Sequence, residues 1–170
     1  MTVLSVPSFR WAILVLLGLL TVSLAGAHAG MTPVEVKIFE ECKPKAEKGD
    51  RVLEYMMGEY LSQGFGTPKD EAEAAKWYLR AAHQGLDRAQ HTIGQRYFFG
   101  EGVIRDIIEA YAYSNLAAAK DKGYRWDLDY IEKRMSPEAI LRGQQRTREL
   151  QKEIEAKMAA KKATEEKAGK

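Results

Sequence analysis

A single cysteine, Cys42, occurs in the 170 residues, so no disulfide can form within the chain. An excess of charge of one sign is also lacking: Lys and Arg number 26 against 24 Asp and Glu, a formal net charge of +2. That near-balance argues against nucleic-acid binding, which needs a clustered basic face. Histidines are few. His83 and His91 stand on either side of Gly85, with no cysteine or carboxylate set at metal-ligand spacing, which argues against a zinc site. No serine sits in a Gly-x-Ser-x-Gly or Ser-x-x-Lys context that would activate its hydroxyl. The chain offers no catalytic residue, no metal ligand set and no cofactor motif, which points away from an enzyme.

Long apolar runs are absent except at the start. After Arg10 an apolar stretch extends from Trp11 to Leu24 and ends in Ala25, Gly26, Ala27, His28, Ala29. A basic residue, a short apolar core and an A-x-A site at Ala27–Ala29 are the features of a secretory signal peptide over residues 1–29, cleaved before Gly30. An uncleaved membrane anchor is the alternative reading of the same stretch. The expected location is exported, periplasmic or secreted, with no membrane attachment after cleavage. Loss of the segment removes one Arg and no acid, and the mature charge falls to +1. Cys42 lies well beyond the cleavage edge, which argues against a lipoprotein; it is either a packed apolar residue or an intermolecular thiol.

What the sequence has is a repeat. At a spacing of 36 residues, Gly49 returns as Gly85, Gly58 as Gly94, Gly64 as Gly100, Gly66 as Gly102, Asp70 as Asp106, Ala74 as Ala110, Trp77 as Tyr113 and Ala81 as Ala117. A period of this size marks a solenoid of stacked helical hairpins, each relying on its neighbours to bury its apolar face. Asp50 opens a first helix with Leu53, Met57, Gly58 and Leu61 at helical spacing, ended by Gly64-Phe65-Gly66. Asp70 caps the second helix, with Glu73 three residues on as an acidic capping box; Asp106 and Glu109 repeat the device. Gly58 and Gly94 facing Ala74, Ala81, Ala110 and Ala117 predict close helix approach, with Trp77 and Tyr113 filling the space beside them.

The strings Ala46-x-x-Gly49, Leu53-x-x-x-Met57-Gly58-x-x-Leu61-x-x-Gly64-x-Gly66 and Asp70-x-x-x-Ala74-x-x-Trp77-x-x-x-Ala81-Ala82 resemble the Sel-one-like repeat, a tetratricopeptide-type helical repeat. The second unit, Ala82-x-x-Gly85 to Ala117-Ala118, matches it more fully. The resemblance implies an all-α solenoid of antiparallel hairpins with a long C-terminal capping helix. It divides the chain into an N-terminal capping helix over 30–45, two repeats and the start of a third over 46–123, capping helices over 124–162, and a charged, disordered tail over 163–170. Val36 to Lys48 reads as a degenerate second helix of a preceding half-repeat that Pro44 kinks or restarts. Ser136-Pro137-Glu138 reads as a helix N-terminus.

Resemblance to this family also implies function. A tetratricopeptide layout lines a concave groove with the free positions of the first helices: Val52, Tyr55, Glu59 and Ser62, then Arg88, His91, Gln95, Phe98 and Phe99, and Trp126 in the third unit. Another protein or a peptide would occupy it, although Tyr55, Phe98 and Trp126 could equally seal contacts between repeats. Some relatives with a cysteine pair in each unit are associated with β-lactam binding or hydrolysis, and no such pair is present here. An exported binding scaffold is the leading expectation, with an envelope enzyme acting on β-lactam or cell-wall substrates and a membrane-anchored regulatory scaffold as alternatives.

Overall fold

The computed structural model of the protein describes residues 30–168. The signal peptide expected over 1–29 and the last two residues of the chain lie outside that span. Within it the chain forms α1 (Pro33–Glu47), α2 (Arg51–Gln63), α3 (Glu71–Ala82), α4 (Asp87–Phe99), α5 (Ile107–Lys120), a 3-10 turn (Lys122–Tyr124), α6 (Arg125–Glu132) and α7 (Pro137–Ala168). Helices α2 and α3 form one antiparallel hairpin and α4 and α5 the next, so the all-α solenoid expected from the sequence is the observed architecture.

Local chemistry sets these boundaries. Asp50 accepts from the backbone N–H of Val52 and Leu53, and Asp106 from those of Ile108 and Glu109, satisfying donors that a helix start leaves unpaired. Asp70 accepts from Glu73 N–H at 2.9 Å. The reciprocal half of the expected boxes is replaced, since Glu73 turns to Lys76 and Glu109 to Arg146. A closed capping box belongs to α1, where Thr32 and Glu35 exchange bonds across Pro33 at the first helical position. Helix α1 then runs on through Pro44 to Glu47 without restarting.

Helices α2 and α4 each end in a glycine with left-handed φ, Gly64 at 75° and Gly100 at 79°. The N–H groups of Phe65 and Glu101 bond back to the Tyr60 and Arg96 carbonyls, which closes the helix end in the Schellman manner. The second glycine of each turn has another task. A Cβ on Gly66 would overlap the carbonyl of Glu35, and one on Gly102 the carbonyl of Glu71. Each turn thus lies flat on the first turn of the preceding second helix.

Within the hairpins, a Cβ on Gly58 would stand 2.6 Å from the Tyr78 ring, and one on Gly94 would stand 2.5 Å from Ser114 Oγ. The side chain that uses the space at Gly58 is therefore Tyr78 and not Trp77, which packs in the core one residue away. Ala74, Ala81, Ala110 and Ala117 are wholly buried, as close helix approach requires. Cys42 is half-buried and packs against the same core.

Helix α7 does not return against α6 as a third hairpin would. No Gly-x-Gly reversal precedes it; Ser136 Oγ accepts from Ala139 N–H and Pro137 opens the helix, sending the chain onto α5. Gly143 admits the Tyr111 ring, and Leu150 and Ile154 enter the core, each side chain contributing about 1.5 to 3 kcal/mol by burial. Further on, Lys157 and Lys161 reach the turns around His83 and Gly49. The tail expected to be disordered from 163 continues as helix to Ala168, with Lys162 and Glu166 paired across one turn at 4.0 Å.

Candidate partner-binding surface

Side chains at first-helix positions bridge α2 to α4 through Tyr55 and Arg88, and α4 to α6 through His91 and Asp127. Tyr55, His91 and Asp127 stand at the same repeat position. His91 Nε2 lies 2.9 Å from Asp127 Oδ2, the His91 ring stacks on Tyr124 with centroids 4.4 Å apart, and Gln95 donates to Asp127 Oδ1 at 3.2 Å. His91 and Gln95 thus clamp α4 to α6 and are not free to meet a partner with their polar ends.

On α2 the equivalent positions are also engaged. Tyr78 Oη donates to Glu59 Oε1 at 2.6 Å and lies 3.3 Å from Ser62 Oγ. Burial, and then the hydrogen bond to Glu59, push the Tyr78 hydroxyl pKa up, so it is a donor at every physiological pH. Arg96 stacks over the Tyr78 ring at 4.8 Å and pairs with Glu71 at 2.6 Å. Glu71 is held below the usual carboxylate range by its hydrogen bonds from Lys69 and Arg96. Glu59 and Ser62 therefore belong to a network inside the hairpin.

Tyr55 is half-buried, 5.4 Å from the Tyr78 ring, with the Arg88 guanidinium 5.7 Å above its outer face. Val52, Tyr55 and Arg88 share a cleft of about 300 Å³ with Leu86, Asp121 and Tyr124. Val52 and Arg88 are exposed. Phe99, the last residue of α4, and Trp126, near the start of α6, are 60% and 71% exposed. Trp126 stacks on Tyr130, and Arg134 covers Tyr130 at 3.5 Å.

Phe98 is a correction. It is only 8% exposed and packs with Ala110, Tyr111, Leu128 and Ile131, joined edge-on by Tyr130 at 5.6 Å. It seals the contact between α4 and α6 and lines no groove, because helical spacing puts it on the α5 side of α4 while Phe99 turns outward. Tyr78, Tyr124, Asp127 and Tyr130 shape the surface yet were not among the residues expected there. The signal for Tyr124 and Asp127 was the 36-residue register itself, which carries Arg88 and His91 onto those positions.

Among the described residues no cluster of three or more metal-ligating side chains occurs, and no helix is long and apolar enough to cross a membrane. Paired helices and a core shared between hairpins define a tetratricopeptide-type helical-repeat protein. The Sel1 repeat model matches residues 53–86 and 87–122, so the chain contains two Sel1 repeats. It is 34% identical over 85 residues, half of this chain, to an uncharacterized protein of Neisseria meningitidis serogroup B. Over 53 residues, 31% of the chain, it is 43% identical to the chitin synthase regulator SKT5 of Saccharomyces cerevisiae. The chain spans 17% and 8% of those proteins. A solved structure of c5321, a protective antigen of uropathogenic Escherichia coli displaying an SLR fold, superposes with a TM-score of 0.69 at 27% identity. The superposition covers 84% of this chain and 31% of that one.

Proposed function

We propose that this protein is an exported, bacterial interaction scaffold that holds another protein or a peptide against the α2–α4–α6 face. The observation that carries this reading is that Val52, Phe99 and Trp126, all large, apolar and more than half exposed, stand on the successive first helices α2, α4 and α6, whose polar groups are largely engaged with one another. Aromatic anchors beside an arginine are what a protein interface uses, and Arg88 stands next to Tyr55 on this face. The 43% identity over 53 residues to part of a chitin synthase regulator agrees with a binding role. No activated nucleophile stands on this face, and His91 is committed to Asp127 as a clamp, so we assign no catalysis to it.

Export rests on Arg10, the apolar stretch to Leu24 and the Ala27-His28-Ala29 site, and the meningococcal relative fits a proteobacterial source. The interaction is tested by placing a photo-crosslinking residue at Phe99 or Trp126, and at exposed Gln151 on α7 as the control, in the native host. A discrete adduct from the first two positions and not from the third supports the reading. Adducts from Gln151 alone would place the partner elsewhere and contradict it.

A further inference from the structure

A second concavity lies away from the first-helix face, where the start of α2, the α3–α4 turn and the far half of α7 meet. Its volume is about 260 Å³, and Arg51, Lys157, Lys161 and Lys162 line it together with His83 and Gln84. No lining residue is a carboxylate. Lys120, at the end of α5, adds another ammonium beside it, bonded to the Gly85 carbonyl at 2.7 Å.

Arg51, Lys120, Lys157 and Lys161 have neutral partners, while Lys162 faces Glu166 across one turn at 4.0 Å. Lys161 Nζ donates to Gly49 O and Gln84 Oε1, Arg51 Nη1 to Gln84 O at 3.4 Å, and Lys157 Nζ to His83 Nδ1 at 3.0 Å. Among the described residues no ion pair joins Arg51, Lys120, Lys157 or Lys161 to an acid. Of the nearby carboxylates, Glu54 takes Arg80 and Gln84, Glu153 takes Arg146, and Asp87 lies close enough to Lys120 to attract its charge. Carbonyl and amide oxygens satisfy N–H donors without cancelling their charge. Cations gathered from α2, α5 and α7 therefore repel one another around a cleft that has room for a small multivalent anion.

We propose that this pocket binds a phosphomonoester dianion. Three acceptor oxygens and two charges on one compact centre match ammonium groups on one wall and a guanidinium on the other, where Arg51 can give two parallel bonds. A single carboxylate would neutralise less of the cluster. The phosphomonoester can be a free metabolite or the headgroup of phosphatidic acid, and the experiment separates the two.

Inorganic phosphate is titrated into the purified protein at constant ionic strength, with chloride as the matched control, while the amide resonances of Gly49, Arg51, Gln84 and Gly85 are followed. Saturable shifts with phosphate and not chloride are expected, with affinity weakened at least about tenfold in Arg51→Gln and in Lys162→Gln. Lys162 makes no tie between α7 and the turns, so its variant keeps the test valid if Arg51→Gln is less stable. Flotation with vesicles of phosphatidic acid against phosphatidylcholine follows. Phosphate binding with retention on phosphatidic acid assigns the headgroup, and phosphate binding without it assigns a free ligand. Shifts that do not saturate, or that survive both substitutions unchanged, overturn the site. Loss of partner crosslinking at Phe99 has no bearing on it.

Discussion

Gly102 lies against the carbonyl of Glu71 with no room for a Cβ between them, and Gly66 bears the same relation to Glu35 one repeat earlier. Each hairpin turn thereby packs its backbone directly on the backbone of the preceding second helix. Gly102→Ala combines a strained φ of +70° with overlap of a carbonyl that cannot move without moving α3, and is expected to cost about 3 kcal/mol or more. Gly64→Ala has only the φ penalty, since its Cβ would find neighbours no nearer than 3.5 Å, and should cost about 1 to 2 kcal/mol. Thermal or urea unfolding of the two variants gives the comparison; equal losses would mean the turn is not seated on α3.

Phe98 and Phe99 are adjacent and should respond oppositely. Phe98→Ala opens a cavity in the cluster with Leu128 and Ile131 and is expected to destabilise by about 3 to 5 kcal/mol. Phe99→Ala, on a side chain 60% exposed, should leave unfolding within about 0.5 kcal/mol of the parent. Denaturant midpoints measure both.

Glu54 is 2% exposed and depends on Arg80, whose Nη2 stands 2.9 Å away and whose side chain also covers the Trp77 ring. Removing the guanidinium leaves a buried carboxylate with Gln84 as its remaining donor. Arg80→Met is expected to lose about 2 to 4 kcal/mol, and the double variant Arg80→Met with Glu54→Leu to recover much of it. Failure of the second substitution to rescue would show that packing on Trp77, and not the unpaired charge, carries the loss.

His83 should make stability depend on pH near neutrality. Burial, and then the charge of Lys157, hold its pKa below 6.5 in the folded protein. The unfolded chain takes up a proton at 6.5 that the folded chain refuses, so stability is full above that value and falls as pH drops from it toward the folded pKa. Glu71, with its pKa lowered from 4.5, adds a further loss only at more acidic pH. Melting temperatures between about pH 7.5 and pH 5.5 should decline in the parent and decline less in His83→Gln.

Much of this fold was legible because its turns use residues with one physical purpose. Glycine pairs at 64/66 and 100/102 and aspartates at 50, 70 and 106 mark helix ends that the structure reproduces. The surface was less legible, for two reasons. Free consensus positions need not be free in space: Glu59 and Ser62 are held by Tyr78, a residue one place away from the consensus aromatic, through the gap left at Gly58. The register also continues past Gly123 into a unit without its glycine turn, so Asp127 meets His91 even though the motif has ended there. Helix α7 had no repeat to follow, and its path over α5 depends on Gly143 fitting Tyr111, a contact that periodicity does not encode.

The central claim, that the first-helix face recognises a protein partner, is tested most directly by the affinity of the crosslinked partner for the purified protein and for Phe99→Ala and Trp126→Ala. Each substitution is expected to weaken binding by about 1 to 3 kcal/mol with the melting temperature unchanged, and Gln151→Ala to leave it as in the parent. Affinity unaltered by both aromatic substitutions, in variants that melt as the parent does, would contradict the account.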